Sequence, residues 1–142
     1  MKGEDFLFPV EQLLKMPSEA AYRTAVNRAY YTIYHCSAEF LSSLGLPTSR
    51  GPQTHGQLQA RIKNCGVPEF EQIYRIIHRL YDCRLLADYD LKSNELQFQA
   101  TAALWVASAK QAIAVIADCK KSPNLCNQIR QGIREYEKKL KA

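Results

Sequence analysis

The sequence has no uninterrupted apolar run of 18 residues in its 142, so no membrane-spanning segment is expected. It has no CxxC pair and no clustered histidines. Its five cysteines (Cys36, Cys65, Cys83, Cys119 and Cys126) are odd in number and widely separated, and its three histidines follow no metal-ligand spacing. A disulfide scaffold and a structural zinc site are thereby disfavoured, and no metal or other cofactor is expected. The opening MKGEDFLFPVEQLL carries acidic residues and Pro9 where a secretion signal would have an apolar core. A cytoplasmic location is expected, where isolated thiols stay reduced. Six glycines and six prolines leave long stretches without a breaker, and no segment shows a convincing apolar/polar alternation or an Asn-Gly turn. Repeats and low-complexity linkers are absent as well, which leaves a single domain over residues 1–142.

Net charge is also absent from most of the chain. Residues 1–119 hold 12 basic and 12 acidic side chains, whereas residues 120–142 hold 7 basic and 2 acidic. The whole net charge of +5 therefore belongs to the C-terminal segment. Such a local basic stretch can meet RNA or another polyanion, and it is also a common solvated helix face.

What is present is a period of 3.6 nearly throughout. It predicts a short helix over Pro9 to Lys15, then a long one from the N-cap Ser18 to about Leu44, ended by the Gly/Pro-rich SLGLPTSRGPQT. Further helices are expected from Thr54 to Lys63, from about Glu69 to Ala87, and from about Glu95 to Asp118. A last basic helix begins at about residue 123 and runs to about Lys139. Val26, Tyr30, Ile33, Phe40 and Leu44 form one apolar stripe, with Ala21, Ala25 and Ala29 beside it. Ile73, Ile77, Leu80 and Tyr81 form a second stripe, and Phe98, Ala102, Trp105, Ala109 and Ile116 a third. The expected fold class is all-α, an up-and-down bundle of five to six helices.

Three groups of side chains carry chemistry. Arg28, Tyr31 and His35 lie at i, i+3 and i+7, hence on one helix face. They are candidate binding residues, or aromatic cover for the bundle edge. Arg84 and Asp88 lie at i and i+4 in YDCRLLADYDL. They form either an intrahelical ion pair or a phosphate-holding arginine with its orienting carboxylate. Arg50 and His55 stand five apart in RGPQTH, and a neighbouring arginine and histidine are the minimum for metal-independent RNA cleavage. His55 can equally be a surface residue in the first turn of the next helix.

The run AAYRTAVNRAYYTIYHCSAEFLSSLG and, further along, LYDCRLLADYD resemble segments of the HEPN superfamily. The likeness is to its small stand-alone bacterial and archaeal members, with an R-A-Y-Y…H helix and an R-x-x-A-D-Y segment. It covers roughly Ala20 to Leu91. The resemblance implies a HEPN-like helical bundle that forms a homodimer. Many members are metal-independent endoribonucleases, often toxins or antiviral proteins, while others bind RNA or nucleotides or partner a small nucleotidyltransferase. In the catalytic members an arginine, a polar residue and, after three more positions, a histidine meet their copies across the dimer cleft. Here Arg84 takes the arginine position, Leu85 the polar one and Tyr89 that of the histidine. A phenol, with an ordinary pKa near 10, is a poor general base at neutral pH. The resemblance therefore implies a non-catalytic, RNA- or nucleotide-binding or regulatory member, with Arg84, Asp88 and Tyr89 in its site. Two alternatives stay open: an endoribonuclease in which His55 or His35 joins Arg84, and a bundle serving only protein interaction.

Overall fold

The computed structural model describes residues 1–142 as an all-α, up-and-down bundle without strands. A 3-10 turn (Gly3–Leu7) leads into α1 (Val10–Lys15), α2 (Glu19–Ser43) and α3 (Thr54–Lys63). Then come α4 (Pro68–Glu71), α5 (Ile73–Tyr89), α6 (Gln99–Lys120) and α7 (Pro123–Leu140). Only Gln72 separates α4 from α5, so the bundle counts six helices when that interrupted pair is taken as one.

The ends of the helices follow from local chemistry. The Ser18 hydroxyl accepts from the Ala21 N–H at 3.4 Å and starts α2, and the Ser122 hydroxyl accepts from Leu125 at 3.2 Å to start α7, with Pro123 at its first position. At the far end of α2, Gly45 takes a φ of 81°, which L side chains rarely adopt. The Leu46 N–H then reaches back to the Leu41 carbonyl and the Gly45 N–H to that of Ser42, a Schellman closure of the helix.

α2 is the central element and packs chiefly on α5 and α6. Its expected stripe (Val26, Tyr30, Ile33, Phe40, Leu44) and its alanine strip are all buried, as are Ile73, Ile77 and Leu80 of α5. Each fully buried leucine or isoleucine contributes roughly 1.5–3 kcal/mol. One contiguous core draws residues from every helix, including Ile129 and Ile133 of the basic α7.

One expectation needs correction. Phe98 is not part of the inward face of α6: it precedes the helix as its N-cap and is 68% exposed, because α6 starts at Gln99 rather than near Glu95. α6 is long and apolar enough to cross a membrane by length and composition alone, with a mean hydropathy of 1.4, a property that core helices share. Eight alanines give it that value, although Lys110 interrupts the run and pairs with Glu11 of α1 at 2.6 Å. Its inner face, from Ala102 through Val106, Ala109 and Ala112 to Ile116, belongs to the bundle core.

All five cysteines are free thiols, four buried and Cys126 half-buried. Burial pushes the thiols of Cys36, Cys65 and Cys83 up to about 11 and raises that of Cys119.

Candidate functional site

Asn27, Arg28, Tyr31, Tyr34 and His35 recur at helical spacing and share a side of α2, next to the buried Tyr30. Tyr81, Arg84 and Asp88 recur at i, i+3 and i+7 along α5. Where the two helices pack, these rows meet, and the first turn of α3 adds His55. The 3-10 turn adds Phe6.

The centre is the Arg84 guanidinium. Its Cζ lies 5.3 Å from the Tyr30 ring centre, 5.6 Å from that of Tyr31 and 5.1 Å from that of Tyr81. Cation–π attraction of about 0.5–2 kcal/mol per ring holds the cation among the phenols. Arg84 is 8% exposed, and its guanidinium makes no hydrogen bond within the chain; Nε is fully buried and has no partner. The terminal nitrogens are not sealed from solvent in this way.

Asp88 does not orient Arg84 by a charge-assisted hydrogen bond, as the sequence suggested. Its Oδ2 stands 3.9 Å from Nη1, too far for one, and instead accepts from Asn27 Nδ2 at 2.8 Å. The other end of that amide, Asn27 Oδ1, accepts from Arg28 Nε at 3.0 Å and from Arg28 Nη2. A chain of polar contacts thus runs from Asp88 through Asn27 to Arg28. Arg28 in turn lies over Phe6, at 5.2 Å, and over Tyr31, at 5.4 Å.

His55 is in the first turn of α3 but turns inward. Its Nδ1 meets the Tyr30 hydroxyl, and its ring lies 4.7 Å from that of Tyr34 and 5.5 Å from that of Tyr81. Burial lowers its pKa below 6.5, and the charges of Arg84 and His35 lower it further. Both effects favour the neutral imidazole. The buried Tyr30 hydroxyl has no other partner, so its proton is best placed toward Nδ1, which puts the imidazole proton on Nε2. That Nε2 has no partner in the chain and is not sealed. α3 has no side-chain cap, so the N–H groups of His55 and Gly56 lack acceptors and add the positive end of a helix.

His35 stacks flat on Phe6, with ring centres 5.1 Å apart, and also touches Tyr31 and Tyr34. Burial and the Arg28 charge lower its pKa, and the nearby Glu39 opposes them. Tyr89 stands apart. It is 76% exposed at the end of α5 and makes neither a hydrogen bond nor a ring contact with the cluster. Arg50 is exposed in the loop before α3 and does not pair with His55.

The fold thus brings Arg28, Tyr31, His35, His55 and Arg84 into one aromatic-lined cluster and leaves Tyr89 and Arg50 outside it. Asn27, Tyr34 and Phe6 complete it without having stood out in the sequence. Tyr34 had a usable signal, three residues after Tyr31 on the same face. Phe6 had none, since it arrives by tertiary contact. None of Arg84, His35 and His55 lines the main surface depressions. No protein-family model matches the chain, no curated protein is similar to it in sequence, and no solved structure matches it.

Proposed function

We propose that this chain is a HEPN-like protein that binds RNA or nucleotides without cutting them, seating a phosphate on Arg84. One observation carries the reading: a buried guanidinium whose five donors find no acceptor in its own chain. A buried guanidinium whose only counter-charge is Asp88, 3.9 Å away and already hydrogen-bonded to Asn27, is costly, and an anion from outside relieves that cost through charge-assisted bonds. The Nε2–H of His55 and the open N-terminus of α3 supply further donors on the same side. The two segments that resemble HEPN proteins lie on α2 and at the end of α5, and it is their packing that builds the cluster.

The chemistry favours binding over cleavage. A general base needs a free nitrogen lone pair on the reachable side of His55, and the Tyr30 hydroxyl favours the opposite tautomer. A general acid needs imidazolium, and the lowered pKa disfavours it at pH 7.

A homodimer is part of the same reading. The outer face of α6 supports it at its N-terminal half, where Ala100, Leu104 and Ala107 are exposed on one side, with Leu104 70% exposed, before Gln111 and Asp118 continue the same face. A small nucleotidyltransferase is the protein partner the resemblance brings with it.

Arg84→Ala should weaken binding of a short single-stranded RNA by about 10- to 100-fold, the loss of one charged pairing worth roughly 1.4–2.8 kcal/mol, with circular dichroism unchanged. Unchanged affinity would remove the proposal.

The proximity of His55 and Arg84 around the Tyr30 and Tyr81 rings favours a second reading, metal-independent endonuclease action. RNA cleavage in a chelator that disappears in His55→Ala would establish it instead.

A further inference from the structure

Tyr31 is shared by two cations. The Arg84 guanidinium carbon lies 5.6 Å from its ring centre and that of Arg28 lies 5.4 Å from it. The two differ in how they are held. Arg84 has no hydrogen bond, and Arg28 is fixed only on its Nε and Nη2 side by the neutral Asn27 amide, which leaves Nη1 without a partner. The one carboxylate beside them, Asp88, is engaged by Asn27. Glu39, next along α2, is engaged by the Gly3 N–H at 2.9 Å. Two guanidinium groups are therefore set around one phenol with a single, already occupied carboxylate for counter-charge.

From this we infer that the face binds two successive phosphates of a single strand, one on Arg84 and the next on Arg28, the two cations that share the Tyr31 ring. The inference rests on the phosphate-binding reading of Arg84 and specifies its ligand. Arginines set among aromatic rings suit a single strand, which such surfaces hold by its backbone phosphates and its bases. The Asn27 amide ties Arg28 on α2 to Asp88 on α5, one turn after Arg84.

The test compares 2′-O-methyl UpU with its 5′-phosphorylated form, which differ by one phosphate and cannot be cut by attack of a 2′-hydroxyl. Titration of the full chain should show the phosphorylated dinucleotide binding about tenfold or more tightly. Arg28→Ala should abolish that difference, and Arg84→Ala should weaken both ligands. Arg28 is half-buried and outside the core, and a matching thermal unfolding midpoint checks that its variant folds. If both dinucleotides bind equally to the wild type, or if Arg28→Ala keeps their ratio, the two-phosphate site is refuted while Arg84 binding stands. If neither binds at all, both readings fail together.

Discussion

Arg23 and Arg84 are buried to the same degree, 8% exposed each, yet their surroundings are opposites. Arg23 leaves α2 and caps the negative end of α5. Its Nη1 donates to the carbonyls of Leu86, Ala87 and Asp90, its Nη2 to that of Ser93, and its Nε to Glu19 at 2.9 Å. Arg84, on the same α5 whose end Arg23 caps, has three aromatic rings, Asp88 at 3.9 Å and no hydrogen bond. One arginine closes the fold, and the other makes no hydrogen bond within it. The difference teaches that burial alone does not identify a functional cation; the satisfaction of its donors does.

Stability measurements can break that comparison. Arg23→Met should lower the unfolding free energy by about 3 kcal/mol or more, since it strands several carbonyls and Glu19 at once. Affinity per folded molecule should be preserved. Arg84→Met removes a charge with no bonded partner, so its cation–π contribution is set against relieved desolvation, and stability should change by less than about 1 kcal/mol. Equal losses in chemical denaturation would make Arg84 a structural residue like Arg23.

A smaller effect concerns pH. The folded pKa values of His35 and His55 lie below the ordinary 6.5, so between those values and 6.5 the unfolded chain binds more protons. Their contribution to stability is complete above pH 6.5 and falls as the pH drops through that window. Denaturation series from pH 7.5 to 5 should show it, and His35→Gln/His55→Gln should flatten the slope. Affinity should run the other way. A phosphodiester beside His55 favours its imidazolium, so binding takes up a proton and tightens as the pH falls through the same window. An RNA lacking terminal phosphates, whose diesters do not titrate there, checks this sign.

Much of the bundle was legible because helical periodicity is a local property. The Ser18 cap, the Thr54–Lys63 helix and the break at Pro123 were all written in adjacent residues. Phe98 shows where that reasoning stops: it continues the periodic pattern of α6, but the helix begins one residue later and leaves it in solvent. The cluster was legible by halves. Spacing placed Arg28, Tyr31 and His35 on one face and singled out Arg84. Which histidine joins Arg84 depended on how α3 packs against α2 and α5, and neither helix encodes that alone. Asp88 stands one turn from Arg84 as expected, but a competing amide from α2 takes its oxygen. Arg23 gave no local sign of its role, because the carbonyls it serves lie more than sixty residues away.

The buried thiols turn the protein into its own unfolding reporter. Only the thiolate reacts with alkylating reagents, and at pH 8 a thiol pushed up to about 11 is ionised roughly once in a thousand molecules. Cys36, Cys65 and Cys83 sit on three different parts of the bundle, so each labels at the rate at which its own neighbourhood opens. Identical rates for the three would mean that the bundle opens as one unit, while an early Cys36 would mark the end of α2 that the N-terminal turn covers. Half-buried Cys126 sets the fast limit, through local fraying at the start of α7.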